Sequence, residues 1–477
     1  MDTTITAKAL TDALIERFSA IVGKANALTE ADRIAPYIRE ERDLFAGSTR
    51  LVLRPGTVDE VSAIMALAQE TGTPIVPQGG NTGLVGAQSP RSEAEILLSL
   101  SRLDRIRDVD PAGRTMVVEG GVVLQKAQEA AAEAGLLFPL SLGSEGSCEI
   151  GGNLASNAGG TNVLAYGNAR ELCLGIEAVL PGGEIFHGLR RLKKDNRGYD
   201  LKDLLIGSEG TLAVITAAVL KLFPRPKQVE TGFLAVRDPD AAIELLASLR
   251  SASGDSLSAF ELMPRIAIDF ALKHVAGTVD PLEESHPWYV LLEFATGSGG
   301  EAFRDTIEAT LGEAMEAGLV MDAVLASSES QAKQLWFIRE AIVEAQKYAG
   351  GSIKHDISIP VSCVGTFIRE ATEAVERTIP GARPVPFGHV GDGNIHFNVT
   401  QPEGADTESY LAQWDKLNTV VHDIVLGMDG SISAEHGIGT FKREELQRVK
   451  SPVELDLMRR IKAVLDPKGL MNPGKVL

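Results

Sequence analysis

A glycine-rich stretch in the first half of the chain restricts the fold more than any other feature. The sequence GSEGSCEIGGNLASNAGGTN, residues 143–162, holds six glycines and three asparagines in twenty residues. Such a segment is too polar for a core and too long for a simple turn, and loops longer than about 12–15 residues are usually functional or disordered. We therefore interpret this stretch as a functional loop.

Two further stretches have closely spaced small residues next to a predicted strand. IVPQGGNTGLVG, residues 75–86, is followed by a polar loop, so it is not the Rossmann fingerprint, which needs a helix directly after its glycines. Its N–H groups, with the side chains of Asn81 and Thr82, suit a phosphate, although a turn without a ligand explains one such loop equally well. IGSEGTLAVIT, residues 206–216, is the third stretch. Three of them in one domain predict a large, extended ligand that carries phosphate.

The order of elements predicts an α+β protein of several domains, because 477 residues exceed the roughly 250–300 at which one hydrophobic core stops growing. Residues 51–80 have the pattern of a strand, a helix capped near Thr57 and a second strand. After the prolines of FPRPKQ, longer helices alternate with strands in an order that suggests a split, ferredoxin-like sheet. The predicted segments are an N-terminal helical segment (1–45), a glycine-rich cofactor domain (46–225), a substrate domain (226–425) and a C-terminal segment (426–477).

Charge and cysteine content exclude several classes of protein. The formal net charge of −19 disfavours a general affinity for nucleic acid or anionic membrane. The three scattered cysteines match neither an iron–sulfur nor a structural zinc pattern and fit a reducing compartment. The N-terminal residues 1–23 predict an amphipathic helix rather than a signal peptide, and there is no apolar run of about 18 residues. We expect a cytoplasmic protein without a transmembrane segment.

Two histidines flank a turn in PFGHVGDGNIHFN, residues 386–398. If a hairpin is centred on Asp392 and Gly393, His389 and His396 oppose each other with Cβ atoms about 4.5–5.5 Å apart, close enough to share a metal ion. Hydrogen-bonded structural histidines are the alternative. The segment SISAEHGIGTFKRE adds Glu435, and two histidines with one carboxylate suit Zn²⁺, Mn²⁺ or Fe²⁺.

Four motifs, taken together, resemble one known family. PQGGNTGLVG (77–86), GGNLASNAGG (151–160), KKDNRGYD (193–200) and LIGSEGTLAVIT (205–216) are similar to the PCMH-type FAD-binding domain of the vanillyl-alcohol-oxidase superfamily. The chain is most similar to the D-2-hydroxyacid dehydrogenase branch, from about residue 46 to the C-terminus. The resemblance implies a FAD-binding domain, then a ferredoxin-like cap domain that binds substrate, and a C-terminal helical segment that returns to the flavin.

The resemblance also implies which residues bind FAD. Bound FAD is expected to be non-covalent, because no histidine precedes His187 and Cys148 is the one cysteine near the loops. The implied FAD-binding residues are Pro77, Gly79, Gly80, Asn81, Thr82, Gly83, Gly143, Ser144, Gly152, Asn153, Asn157, Gly159, Glu209, Gly210, Ile215 and, in the tail LDPKGLMNPGKVL, Asn472.

A metal and a substrate site follow from the same resemblance. It implies that His389, His396 and Glu435 bind a divalent metal, Zn²⁺ first, and that His436 is the catalytic base. The implied substrate-binding residues are Arg339, Val343, Lys354, Asn398 and His436. Without the resemblance, an ion pair of Arg339 with Glu340 or Glu344 and an exposed Lys354 are equally good explanations.

Position 343 departs from the family pattern. Members that act on 2-hydroxyglutarate tend to carry a hydroxyl group one turn after this arginine, whereas Val343 has none. The expected reaction is therefore oxidation of a D-2-hydroxyacid, with D-2-hydroxyglutarate, D-lactate and D-malate all open. The electron acceptor is expected to be external, an electron-transfer flavoprotein or a quinone, and a homodimer is expected. The alternatives are a flavin subunit of a multi-chain glycolate or D-lactate oxidase complex and a flavin-binding subunit without catalysis.

Overall fold

A computed structural model describes residues 9–39 and 46–477, which form two compact units. The first unit contains the described residues up to 159, together with 167–225 and 435–477. The second contains residues 160–166 and 226–434. The predicted N-terminal helix begins at Asp12, and residues 1–8 of that prediction lie outside the described part.

The helices are α1 (Asp12–Val22), α2 (Ala31–Ile38), α3 (Val58–Thr71), α4 (Leu124–Glu133), α5 (Ile150–Ala155), α6 (Val163–Tyr166), α7 (Leu201–Leu205), α8 (Pro239–Ser253), α9 (Arg265–His274), α10 (Glu301–Glu316), α11 (Glu329–Tyr348), α12 (Val364–Thr378), α13 (Thr407–Leu411), α14 (Trp414–Gly427), α15 (Arg443–Val449) and α16 (Pro452–Leu465). The strands are β1 (Ala27–Leu28), β2 (Val52–Leu53), β3 (Ile75–Gln78), β4 (Ile96–Ser99), β5 (Ile106–Asp110), β6 (Thr115–Glu119), β7 (Leu136–Leu137), β8 (Cys173–Val179), β9 (Ile185–Gly188), β10 (Val214–Lys221), β11 (Phe223–Pro224), β12 (Gln228–Val236), β13 (Leu257–Pro264), β14 (Trp288–Thr296), β15 (Val320–Leu325), β16 (Ser352–Ser358), β17 (Arg383–Phe387) and β18 (Asn394–Thr400). Within the described residues, no helix is both long enough and apolar enough to cross a membrane.

The first unit begins with the predicted strand–helix–strand segment. Thr57 caps α3 by accepting a hydrogen bond from the N–H of Glu60, which confirms the predicted helix start. Strands β2 and β3 both lie parallel to β4 in a sheet of order β1-β2-β4-β3. The prediction of a β-α-β unit over 51–80 is therefore correct, with the second strand ending at Gln78.

The glycine-rich stretch 143–162 contains a helix, which corrects its interpretation as a loop throughout. Helix α5 packs on β10, the central strand of an antiparallel sheet of order β5-β6-β10-β8-β9. The N–H of Gly151 donates to the carbonyl of Gly120 (2.7 Å), which holds the start of α5 against that sheet. A side chain at 151 would meet the carbonyl oxygens of Gly120 and Ile215 at 2.9 and 3.0 Å. Glycine is therefore needed here for close packing.

The second unit contains the predicted ferredoxin-like sheet, of antiparallel order β13-β14-β12-β15. Alternate residues of β12 enter different cores: Leu234 packs with α8 and α10, whereas Phe233 packs with α9 and α11. Because helices cover both faces, the middle of the strand is apolar throughout. The predicted α+β class is confirmed.

A three-stranded antiparallel sheet of order β16-β18-β17 completes the second unit. The predicted hairpin is present, but its register differs from the expectation. His396 lies opposite Phe387, and His389 lies beyond the end of β17, at the start of the short 3-10 turn Val390–Asp392. The histidines are therefore not directly opposed strand residues.

The close packing of α5 gives a stability prediction. Gly151→Ala should lower the free energy of unfolding by about 1–3 kcal/mol, because its methyl group would press on backbone carbonyls. Gly152→Ala is the matched control: its methyl group would meet a single atom, 3.8 Å away, so stability should be unchanged or higher by up to about 1 kcal/mol. Denaturant unfolding of both variants without ligand measures this, and equal losses would contradict it.

Candidate functional site

Loops of the first unit that were predicted to bind a cofactor lie against each other. A side chain at Gly80 would collide with the carbonyl oxygen of Ser147, and one at Gly79 would lie 3.3 Å from the N–H nitrogen of Gly152. The first and second glycine-rich stretches are therefore in backbone contact. Asn81, in the left-handed region at φ 59°, donates its amide to the carbonyl of Arg39 (2.8 Å), so this side chain supports the loop itself.

The third stretch joins the C-terminal segment through Glu209. Its carboxylate accepts hydrogen bonds from the N–H groups of Ile438 (2.8 Å) and Gly439 (2.7 Å). Asn472 donates its side-chain amide to the carbonyl of Glu209 (2.8 Å), and its own N–H donates to the carbonyl of Ile75 (2.8 Å). The Glu209 side chain therefore fixes the turn that follows His436.

The other predicted cofactor residues lie around the same loops. A side chain at Gly210 would lie 3.2 Å from the ring of Pro77, which ties the third stretch to the end of β3. Asn157, with φ 52°, accepts from the N–H of Arg170 (3.0 Å). Ile215 is buried in β10. Asn153 lies in α5. The remaining predicted cofactor residues lie in loops: Thr82, Gly83, Gly143, Ser144 and Gly159.

This part of the first unit fits a polar cofactor such as the implied FAD. The side-chain nitrogen Nδ2 of Asn153 and the oxygen Oδ1 of Asn472 are both buried without a hydrogen-bond partner. Leaving such a group unpaired costs about 1–3 kcal/mol, so a bound ligand that pairs with them would stabilise the protein. Gly143 has no atom within 4 Å of where a side chain would begin, and Gly152 has one, at 3.8 Å, so a ligand can come close to the backbone at these two positions. The two polar atoms of Asn153 and Asn472 therefore fit a polar ligand such as FAD.

In the second unit, His389 is held by a glutamate that sequence reasoning missed. Nδ1 of His389 lies 2.5 Å from Oε1 of Glu261, whose side chain is fully buried on β13. Arg339 of α11 binds the other oxygen of Glu261 through Nε (2.8 Å) and Nη2 (2.7 Å). The guanidinium carbon of Arg339 also lies 4.9 Å from the centre of the Phe387 ring. Arg339 pairs with Glu261, and not with Glu340 or Glu344 as the alternative proposed.

The Glu261 carboxylate determines how His389 can act. Burial by itself would raise the pKa of Glu261, but the charges and hydrogen bonds of His389 and Arg339 lower it to about 2. When the His389 ring is neutral, its Nδ1–H donates to the ionised Glu261, and the lone pair of the ring is then on Nε2. Metal-binding histidines usually donate their other ring N–H to a carboxylate or a carbonyl in this way.

His396 and Asn398 lie on one face of β18, opposite Asp356 and Lys354 of β16. The Oδ1 atom of Asp356 lies 3.8 Å from Nδ1 of His396, and it accepts a hydrogen bond from Asn394 (3.0 Å). Asp356 and His396 are among the side chains whose donor atoms could hold a metal ion. Asp356 was missed from the sequence, although its two-residue spacing from Lys354 places both on one strand face.

The rings of His389 and His396 are brought together despite the difference in register. Their centres lie 5.5 Å apart and their planes are nearly perpendicular, at 79°. Two imidazoles and the Asp356 carboxylate therefore lie in one region of the second unit, with the chemistry expected of a Zn²⁺, Mn²⁺ or Fe²⁺ site.

The predicted substrate residues of the second unit lie on α11 and the three-stranded sheet. Arg339 is buried, whereas Val343, one turn later, is 49% exposed. Lys354 lies beside Asn398 across β16 and β18, and Asn398 donates its amide to Oε1 of Gln346 (2.9 Å). Gln346, two turns after Arg339, is a further residue that the sequence did not single out.

Glu435 and His436 are the first two residues after Ala434, where the chain leaves the second unit. Within the first unit, Oε1 of Glu435 lies 3.9 Å from Nε2 of His436. The glycine at 437 takes φ 83°, and a side chain there would meet the Glu209 carboxylate at 2.9 Å. The small residue therefore allows Glu209 to hold this turn.

Comparison with known proteins adds independent findings. Residues 225–476 match the model of the FAD linked oxidases, C-terminal domain, and residues 49–188 match that of the FAD binding domain. The chain is 37% identical over 468 residues to D-2-hydroxyglutarate dehydrogenase of Xanthomonas citri, with 98% of this chain and 97% of the relative covered. It is 36% identical to the mitochondrial D-2-hydroxyglutarate dehydrogenase of Arabidopsis thaliana, with 97% and 81% covered.

A solved structure shows the same fold. The crystal structure of p-cresol methylhydroxylase with substrate bound has a TM-score of 0.76 at 15% identity, covering 97% of this chain and 96% of that one. At this identity the likeness concerns the fold alone. Together with the domain match, it confirms the predicted PCMH-type FAD-binding fold.

The buried charges around β13 give a prediction with an internal control. Glu261→Gln should lower the free energy of unfolding by about 3–5 kcal/mol, because Arg339 would keep a buried charge without its carboxylate.

Glu293 is the control, a mostly buried glutamate on the adjacent strand β14. It accepts from Trp336 Nε1 (3.0 Å), and burial raises its pKa. Glu293→Gln should cost less than about 1 kcal/mol, because a neutral amide oxygen can accept the same bond. Denaturant unfolding of both metal-free variants at neutral pH measures the difference, and similar losses would refute the role of the Arg339 charge.

Proposed function

Because the chain belongs to the family of FAD-linked oxidases, we propose that this FAD-dependent oxidoreductase oxidises a D-2-hydroxyacid to the 2-oxoacid. Two relatives that match nearly the whole chain are named D-2-hydroxyglutarate dehydrogenases, which makes D-2-hydroxyglutarate the first substrate to test. D-lactate and D-malate are the alternatives that the missing hydroxyl at Val343 favours.

The observation that carries the proposal is the orientation of His389 by Glu261 beside His396. We infer that His389, His396 and Glu435 bind a divalent metal, Zn²⁺ first with Mn²⁺ or Fe²⁺ as alternatives, and that Asp356 joins or supports them. Within the second unit, Ala434 donates its N–H to the carbonyl of Asp356 (3.3 Å), and Glu435 is the next residue in the sequence. Such a metal, when bound, lowers the pKa of a coordinated hydroxyl group and orients it.

Residues of this chain then have separate roles in binding and proton transfer. Lys354 and Asn398 hold the substrate carboxylate, with Arg339 contributing charge through the nitrogen not used by Glu261. His436 accepts the hydroxyl proton, since histidine is the side chain that most often acts as a general base. Glu209 keeps the His436 turn in place. Bound FAD would supply the hydride acceptor for this oxidation.

Electrons must leave the reduced flavin for an external acceptor. We infer an electron-transfer flavoprotein or a quinone, because the sequence has neither a nicotinamide fingerprint nor cysteine clusters for iron–sulfur centres. A flavin subunit of a multi-chain glycolate or D-lactate oxidase complex is the second candidate. Turnover of the purified single chain with an artificial dye would decide against it.

One experiment tests substrate, stereochemistry and metal together. Oxidised enzyme is mixed anaerobically with a panel of D- and L-2-hydroxyacids, and loss of flavin absorbance is followed with and without chelator. Bleaching by a D-acid, lost with chelator and restored by Zn²⁺, Mn²⁺ or Fe²⁺, is the expected result. Full activity of a protein shown to contain no metal would refute the metal-assisted mechanism.

His436→Ala should slow flavin reduction by substrate about 10²–10⁴-fold, the usual contribution of a general base, with FAD content unchanged. His187→Ala, which removes an exposed histidine of β9, is the control and should reduce flavin at the wild-type rate. Stopped-flow absorbance under anaerobic conditions measures both variants. An unchanged rate in His436→Ala would show that His436 is not the base, whereas a wild-type protein whose flavin no 2-hydroxyacid reduces would favour a flavin-binding subunit without catalysis.

Val343→Thr should lower KM for D-2-hydroxyglutarate by about tenfold or more, because a hydrogen bond to a charged group contributes about 1.5–3 kcal/mol. KM for D-lactate, which has no distal carboxylate, should stay the same. Val343→Ala provides the control, since it removes bulk without adding a hydroxyl group. A KM for D-2-hydroxyglutarate that changes equally in both variants would mean that position 343 does not contact the distal carboxylate.

A further inference from the structure

Glu149 carries a carboxyl group that lacks a partner. It directly precedes α5 in the glycine-rich stretch, and the residue is only 7% exposed. Its Oε2 atom is buried without a hydrogen bond, and across residues 9–39 and 46–477 neither a hydrogen bond nor an ion pair reaches this carboxyl group. Buried carboxyl groups are normally paired, so this one calls for a ligand.

The surroundings of Glu149 are those of the cofactor loops. A side chain at Gly79 would lie 3.4 Å from the Cβ atom of Glu149, so Glu149 borders the first glycine-rich stretch. Asn153, one turn later on α5, has a buried Nδ2 that lacks an oxygen or nitrogen partner and interacts with the weakly accepting thiol of Cys148. An unpaired carboxyl oxygen and a weakly paired amide therefore lie on the same short segment. A polar ligand at that place would give both groups a strong hydrogen-bond partner.

Burial keeps the carboxyl group of Glu149 neutral at neutral pH. Burial raises the pKa of Glu149 to about 8, with a smaller contribution from Asp104. Lys126 of α4 donates its ammonium group to the carbonyl of Asp104 (2.8 Å). The adjacent Cys148 thiol is buried with a raised pKa, and Glu145 adds a further negative charge to the loop. At neutral pH the carboxyl group is therefore a hydrogen-bond donor.

We propose that the carboxyl group of Glu149 contacts FAD and donates a hydrogen bond to one of its acceptor atoms. The inference rests on the FAD-binding part of the proposed function and is independent of substrate and metal. A neutral acid provides a donor without adding charge, whereas an ionised carboxylate would repel the negative charge of the FAD phosphates. Glu149 is thus a cofactor-binding residue that none of the sequence motifs had indicated.

The sign of the pH dependence follows from this contact. FAD binds the protonated form of Glu149 better, so affinity is complete below the pKa of the free protein, about 8, and falls as pH rises above it. One linked proton changes the dissociation constant by up to about tenfold per pH unit. Titration of FAD-free full-length protein with FAD, followed by flavin fluorescence from about pH 6 to 9.5, measures this.

Two variants and a control separate the contact from a structural role. Glu149→Gln keeps a hydrogen-bond donor but cannot ionise. Its FAD affinity should therefore stay constant above about pH 8, where the affinity of the wild type declines. Glu149→Met removes the donor and should weaken FAD binding about tenfold or more below pH 7, while keeping a similar volume. Glu145→Gln, on the same loop, should retain the wild-type decline.

Two results would overturn the contact: wild-type affinity that stays constant from about pH 7 to 9.5, or the same decline in Glu149→Gln as in the wild type. Substrate oxidation is not measured, so a failed metal mechanism leaves this test intact. A protein that binds no FAD at any pH would instead overturn the proposed function, and the contact with it.

Discussion

The buried carboxylate of Glu261 connects three elements of the second unit that are distant in sequence. It lies on β13, binds Arg339 of α11 and holds His389, 128 residues further along the chain. A buried charge without its partner costs several kcal/mol, so these groups must stay together in the folded state. The orientation of His389 is therefore a consequence of folding stability. A site of this kind is rigid before any ligand binds.

The first unit depends on a different constraint, the close approach of backbones. Gly80 and Gly151 both lie where a side chain would strike a carbonyl group of another segment. The loops are thus packed against each other without side chains between them. Glu209 extends this packing to the C-terminal segment, so the turn after His436 is held by the same loops.

Much of the fold could be predicted because local signals agreed with tertiary packing. The cap at Thr57 could be predicted from neighbouring residues alone. The same holds for the alternation of strands β12 to β15 with helices along the chain. The helix inside 143–162 could not be predicted, because glycines disfavour a helix unless close packing requires them. The predicted register of His389 was wrong because the 3-10 turn Val390–Asp392 adds residues that a simple hairpin lacks. His389 therefore lies outside the paired strands.

The sequence by itself determined the α+β class, the glycine loops of a FAD-binding domain and the candidate residues for metal and substrate. Those features depend on composition, spacing and ordered motifs, which the chain carries locally. Only the tertiary structure revealed that Glu261 orients His389, that Asp356 lies opposite His396 and that Glu149 is buried without a partner. The physical reason is that pairing and burial are relations between distant segments, and one chain does not specify them until its sheets and helices have packed.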